Sequence, residues 1–140
     1  EDARAVRVED QLLLGDGLMI APVYEQNAEG RYVYLPERMK VVRFKKDGSC
    51  EEEILEAGDH YGDVALTDVV VFVRPDHLIP LSKGGQCVAD VDFEDLQYLS
   101  FVENEAVYEY YHDDGYEKDY GNPAHMCVIR MEKDGKVCRE

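Results

Sequence analysis

Between His112 and Asp119 the chain reads "HDDGYEKD", its densest gathering of side chains able to bind a cation or move a proton: His112, Asp113, Asp114, Glu117 and Asp119. A calcium loop of the EF-hand kind needs oxygen donors at its first, third and fifth positions, ahead of its glycine. Counted back from Gly115, those places hold Tyr110, His112 and Asp114, so the ligand spacing fails. Asp113 and Asp114 are also poorly placed as a general acid and base, because neighbours in an extended chain point to opposite sides. An Asp-Asp-Gly hairpin turn explains the same residues without a ligand. The histidines (His60, His77, His112, His125) lack zinc spacing, and the cysteines (Cys50, Cys87, Cys127, Cys138) contain no C-x-x-C. Cys127 stands near His125, but in an apolar run where thiols are inert. The residues therefore offer no catalytic group, no substrate-binding group, no metal ligand and no cofactor site.

Three other groupings invite chemistry. Gly15-Asp16-Gly17, within "LLLGDGLMIAPVYE", has the first two glycines of a phosphate-binding turn. Such a turn needs a following helix, whereas Pro22 would break one and the apolar run has the length of a strand. The ten tyrosines could stack on sugar rings, but most of them fit sandwich strands, and tryptophan, the usual sugar platform, is absent. Glu51-Glu52-Glu53 reads as a solvated strand face beside a turn.

Composition narrows the partners. With 31 acidic against 15 basic residues the net charge is −16, which repels nucleic acid and anionic lipid. No apolar run is long enough to span a bilayer, and no signal-peptide pattern is present. Isolated cysteines without such a signal point to reduced thiols and a cytoplasmic setting. A chain of 140 residues can bury a core without staples.

The elements that would carry these residues are strands. Turn signals recur at 27–30, 45–48, 56–59, 82–85, 112–115 and 132–135, two of them as Lys-Asp-Gly. Between them lie "RYVYL", "KVVRF", "EEEIL", "VVVFV", "QYLSFV", "AVYEYYH" and "HMCVIRM", short and rich in Val, Ile, Tyr and Phe. The single helix candidate, Ala3 to Leu13, has a poor apolar stripe. The pattern predicts an all-β fold, with strands spaced as in a sandwich or a barrel. "AVYEYYH" alternates as a strand with one wet face, Ala106, Tyr108 and Tyr110 opposing Glu105 and Glu109. "VVVFV" and "LMIAPV" are instead apolar on both faces and need cover on both. Long loops of the chain, a second copy in a homodimer, or a neighbouring domain could supply it.

In order and spacing, "VEDQLLLGDGLMIAPVYE", "GRYVYLPE" and "VVVFVRPDHLIPL" over residues 9–81 resemble the C-terminal β-sandwich of glycoside hydrolase family 31, the α-glucosidase and α-xylosidase family. "AVYEYYHDDGYEKDYGN" resembles the family's distal C-terminal segment more weakly. The resemblance implies an antiparallel β-sandwich over 1–85 with a hairpin-rich distal segment over 86–140, a non-catalytic portion that braces a (β/α)8 barrel hydrolysing α-glucosides with retention. Both family aspartates lie in that barrel, upstream of the matching portion, so this portion alone would turn over no substrate. Gly15 and Gly17 would then form the corner into the first sandwich strand.

Overall fold

The computed structural model describes residues 2–113, 115, 116, 118 and 121–140. Among these residues twelve antiparallel strands dominate, with short 3-10 turns at Ala5–Arg7, Val88–Asp90 and Pro123–His125. Only the first of these falls where the helix was expected; Leu12 and Leu13 are already in a strand. Two compact units divide the chain, Glu1–Pro75 and Asp76–Glu140.

In the first unit, β1 (Leu12–Leu14) and β2 (Leu18–Ile20) form a hairpin over Gly15-Asp16-Gly17. Gly15 has φ +64°, the left-handed region where glycine is favoured. Gly17 does not share it; its carbonyl accepts the Arg74 N–H at 3.0 Å instead. The hairpin is the edge of a five-stranded sheet in the order β1-β2-β7-β4-β5, with β7 at Val69–Val73, β4 at Met39–Phe44 and β5 at Cys50–Leu55. A two-stranded sheet, β3 (Gly30–Leu35) with β6 (Gly58–Asp63), forms the second layer. Val33 and Leu35 of β3 meet Met19, Met39, Val41 and Phe72 in a closed apolar cluster. That cluster is the sandwich core.

Strand β5 carries the three glutamates at the far edge. Two of them pair across the ladder, Lys40 with Glu52 at 3.0 Å and Lys45 with Glu51 at 3.2 Å. Charge on an edge discourages pairing with another chain.

In the second unit, β8 (His77–Leu81) pairs with β9 (Gln97–Phe101), and β10 (Glu105–Tyr111), β11 (Met126–Glu132) and β12 (Val137–Arg139) form a meander. Leu78, Ala106, Ile129 and Met131 make its core, with Tyr98, Tyr108 and Tyr110 packed around them. The expected alternation in β10 holds, since Ala106 is fully buried while Glu105 and Glu109 are exposed. "VVVFVRPDHLIPL" forms two strands, Val69–Val73 and His77–Leu81. Asp76 takes φ +58° between them, and the second strand joins β9.

The two Lys-Asp-Gly turns share one hydrogen-bond pattern. Lys45 N–H donates to Ser49 O and Gly48 N–H to Lys45 O; Glu132 N–H donates to Lys136 O and Gly135 N–H to Glu132 O. Asp47 and Asp134 each accept from the amide two residues on, both at 2.9 Å. Identical three-letter turns give identical hairpins, as turn chemistry requires. The "EAGD" turn differs. It leads from β5 into β6, which pairs with β3, so it is a corner between sheets.

Candidate functional site

The segment 9–17 is fastened to the sandwich by a few polar side chains. The Asp10 carboxylate meets Arg31 at 2.5 Å, and the Arg31 guanidinium also donates to the carbonyls of Asp10 (3.0 Å) and Pro22 (2.8 Å). Gln11 acts as a surrogate peptide: its Nε2 donates to Tyr34 O at 2.7 Å and its Oε1 accepts Tyr34 N–H at 2.8 Å. Arg74 reaches Glu37 at 2.5 Å and the Asp16 carbonyl at 2.9 Å. Asp10-Gln11, Gly15-Asp16-Gly17, the "YLPE" glutamate and the "FVR" arginine are thus one set of stitches. These bonds hold strands together.

This fastened hairpin carries an apolar edge. Leu12, Leu13 and Leu14 are 55%, 62% and 60% exposed, and no charged residue lies in β1. Behind them Leu18 and Ile20 are half-buried, while Val42 and Val73 at the sheet centre are closed. The doubly apolar face therefore opens progressively toward β1. A bare apolar edge strand is a template for pairing, which proteins normally protect.

On the outer side of the β3–β6 pair lie tyrosines that fit strands by residue type but turn their rings to solvent. Tyr32 and Tyr61 stand opposite each other in the ladder, with ring centroids 5.1 Å apart and planes at 72°. Tyr24 lies beside them, with Arg31 against its ring at 5.8 Å. The three residues Tyr32, Tyr61 and Tyr24 are 73%, 56% and 69% exposed and line a hollow of about 350 Å³ with Asp10, Glu25 and Arg31. Strand alternation is the signal in the sequence that marks them: Val33 and Leu35 point inward, so Tyr32 and Tyr34 must point out. Tyr34 Oη donates to Asp2 at 2.5 Å. That bond holds the Asp2 carboxyl below the usual range and the phenol above it.

The residues singled out for chemistry in the sequence stay apart or serve structure. Asp113 Oδ1 accepts the Gly115 N–H at 2.7 Å, a turn bond that lowers its carboxyl from the ordinary value. Asp114, Glu117 and Asp119 lie outside the described residues. His112 and His125 are brought together by a backbone bond of 2.8 Å, yet their rings pack on Phe93 and Tyr111 respectively. His60 bonds the Glu56 carbonyl at 2.7 Å, and His77 lies opposite Phe101 in the β8–β9 ladder. Cys127 lies opposite Tyr110, whose phenol is raised by burial and then by its bond to that thiol. Among the described residues no group of three His, Cys, Asp or Glu could hold a metal, and no helix is long and apolar enough to cross a membrane.

Sheets packed in pairs, joined by hairpins and corners, define an antiparallel β-sandwich module. Residues 1–79 match the family model of the glycosyl hydrolase family 31 C-terminal domain, and the chain belongs to that family. It is 28% identical to neutral alpha-glucosidase AB of Homo sapiens and 29% identical to that of Mus musculus, over 98% of this chain. The chain spans only 14% of the length of those relatives. Among solved structures, a GH31 dextranase of Flavobacterium johnsoniae complexed with glucose superposes with a TM-score of 0.66 at 26% identity, covering 93% of this chain and 16% of that one. A GH31 alpha-xylosidase of Xanthomonas citri reaches 0.69 at 22% identity, with 95% of this chain and 15% of that one covered, a likeness of fold.

Proposed function

We propose that this chain is the non-catalytic C-terminal portion of an α-glucosidase-like enzyme, and that it braces a (β/α)8 barrel of the same polypeptide that hydrolyses α-glycosidic bonds with retention. The observation that carries the reading is β1: three exposed leucines on a strand edge that the stitches at Asp10, Gln11 and Arg74 hold in place. Rigid anchoring of an apolar edge fits a permanent contact better than a mobile tail. An α-glucoside is then substrate for the whole enzyme and not for this portion. Four free thiols support a reducing, cytoplasmic setting.

The test compares the chain alone with a polypeptide joining it to its barrel. In the joined protein Leu14→Asp is expected to lower the melting temperature and the activity. In the chain alone, kept monomeric at low concentration and low salt, the same change should leave melting unaltered, because Leu14 is 60% exposed there. The chain alone should cleave no nitrophenyl α-glucoside. An unchanged joined protein, or turnover by the pure chain that a change within it abolishes, would refute the reading.

A further inference from the structure

We propose that the hollow between Tyr24, Tyr32 and Tyr61 binds a neutral, α-linked gluco-oligosaccharide. The choice of an α-linked glucose chain rests on the function proposed above, whereas the choice of a sugar rests on the hollow itself. Edge-to-face contact between Tyr32 and Tyr61 can cover only one face of one ring, so aromatic faces remain open to water. A pyranose ring has an apolar C–H face that such rings can cover.

Beside them lies a polar group fixed in advance. The Arg31 side chain is only 11% exposed. It donates to the Asp10 carboxylate and to the carbonyls of Asp10, Pro22 and Tyr32. These bonds engage four of its five N–H groups. Among the described residues, one Nη2 hydrogen and the second Asp10 oxygen take no further partner, a donor and an acceptor on the two sides of one ion pair. A sugar hydroxyl, itself both donor and acceptor, satisfies both at once. Preorganisation of this kind reduces the ordering cost of binding.

Charge and length narrow the ligand. Asp10 and Glu25 at the rim, on a chain of net charge −16, disfavour anions. A second hollow of about 350 Å³ shares Tyr24, Tyr32 and Asp10 with the first. The two together make a run longer than one ring, suited to an oligosaccharide.

Calorimetric titration of the chain with isomaltotriose and maltotriose tests this. At least one should saturate with a millimolar or tighter dissociation constant. Tyr32→Ala should weaken it about tenfold or more without moving the melting temperature, as loss of one stacking ring implies. Tyr116→Ala, another exposed tyrosine remote in sequence, should bind as the parent chain does. Any of four results would overturn the proposal. One is the absence of saturation at tens of millimolar, and a second is undiminished binding by both Tyr32→Ala and Tyr61→Ala. Another is equal binding of cellotriose, which would remove the α-linkage. The last is a joined polypeptide destabilised by Tyr32→Ala, which would make the hollow a barrel contact. The bracing test turns on Leu14 and not on these tyrosines, so either idea can fail alone.

Discussion

Gly30 and Gly62 lie in neighbouring rows of the β3–β6 ladder, but their surroundings are opposite. A Cβ on Gly30 would lie 2.4 Å from Gly62 O and 3.0 Å from Asp63 Cα, both backbone atoms that cannot swing aside. A Cβ on Gly62 would meet nothing within 4 Å. Gly30→Ala should therefore cost about 1–3 kcal/mol, as overpacking does. Gly62→Ala should be neutral or stabilising by up to about 1 kcal/mol, through the reduced entropy of the unfolded chain. Urea unfolding of the two variants checks this, and equal midpoints would contradict it. Neither environment is legible in the sequence, where "EG" reads as the end of a turn and the second glycine has no assignment. A close approach between strands leaves no mark on composition.

Gln11 shows how one side chain completes an element. Its carboxamide pairs with both backbone groups of Tyr34, as the next strand of the sheet would. Gln11→Glu keeps the acceptor but replaces the donor facing Tyr34 O with an oxygen. At neutral pH the variant should lose about 1–3 kcal/mol. The carboxyl would be held above its ordinary value in the fold, because only its protonated form can donate. Its stability should therefore be recovered below the unfolded value of about 4.3 and lost as the pH rises through the raised folded value. Melting curves at pH 4 and pH 7 relative to the parent chain give the sign; a deficit independent of pH would count against the surrogate-peptide role. At this scale the seven β-rich runs between turn signals all correspond to strands, because Val, Tyr and Ile alternate or cluster there. β6 carries no such signal. "GDHYGD" has no apolar inward face, and Gly62 and His60 stand opposite Arg31 and Val33 in the ladder. β1 is ambiguous in the sequence because three leucines before a glycine fit the end of a helix equally well. Asp10, Gln11, Glu37 and Arg74 are visible as parts of a family pattern, but their roles as stitches emerge only from partners many residues away.

For the whole chain, the two edges of the five-stranded sheet are unequal. β5 is guarded by three glutamates, and β1 by no charge of its own. Taken alone, the chain should self-associate through β1, most simply as a symmetric pair of edges. The −16 charge opposes this at long range, and its reach falls to about 8 Å at physiological salt. Association should therefore strengthen as salt is added, the reverse of an ion-pair interface. Sedimentation velocity should show dimer growing with sodium chloride, and the Leu12→Asp, Leu14→Asp double variant should remain monomeric. A parent chain that stays monomeric at high salt and high concentration would mean that β1 is protected in some other way.

The strand order also sets a clock. Leu18 pairs with Val73, and Lys40 pairs with the same Val73 from the other side, so β7 is the strand that joins two otherwise separate hairpins. During synthesis, β1 and β2 leave the ribosome roughly fifty residues before β7, which at about 5–20 residues per second is several seconds. A two-stranded hairpin is marginal in water by itself. For that interval the leucine-rich hairpin has no strand beside β2 in its own sheet, and an apolar surface already completed upstream is one it can find before β7 arrives. A barrel encoded ahead of this chain would be such a surface, engaged before the sandwich exists. Pairings this distant also make refolding of the isolated chain slow, in the millisecond-to-second range of non-local β topologies.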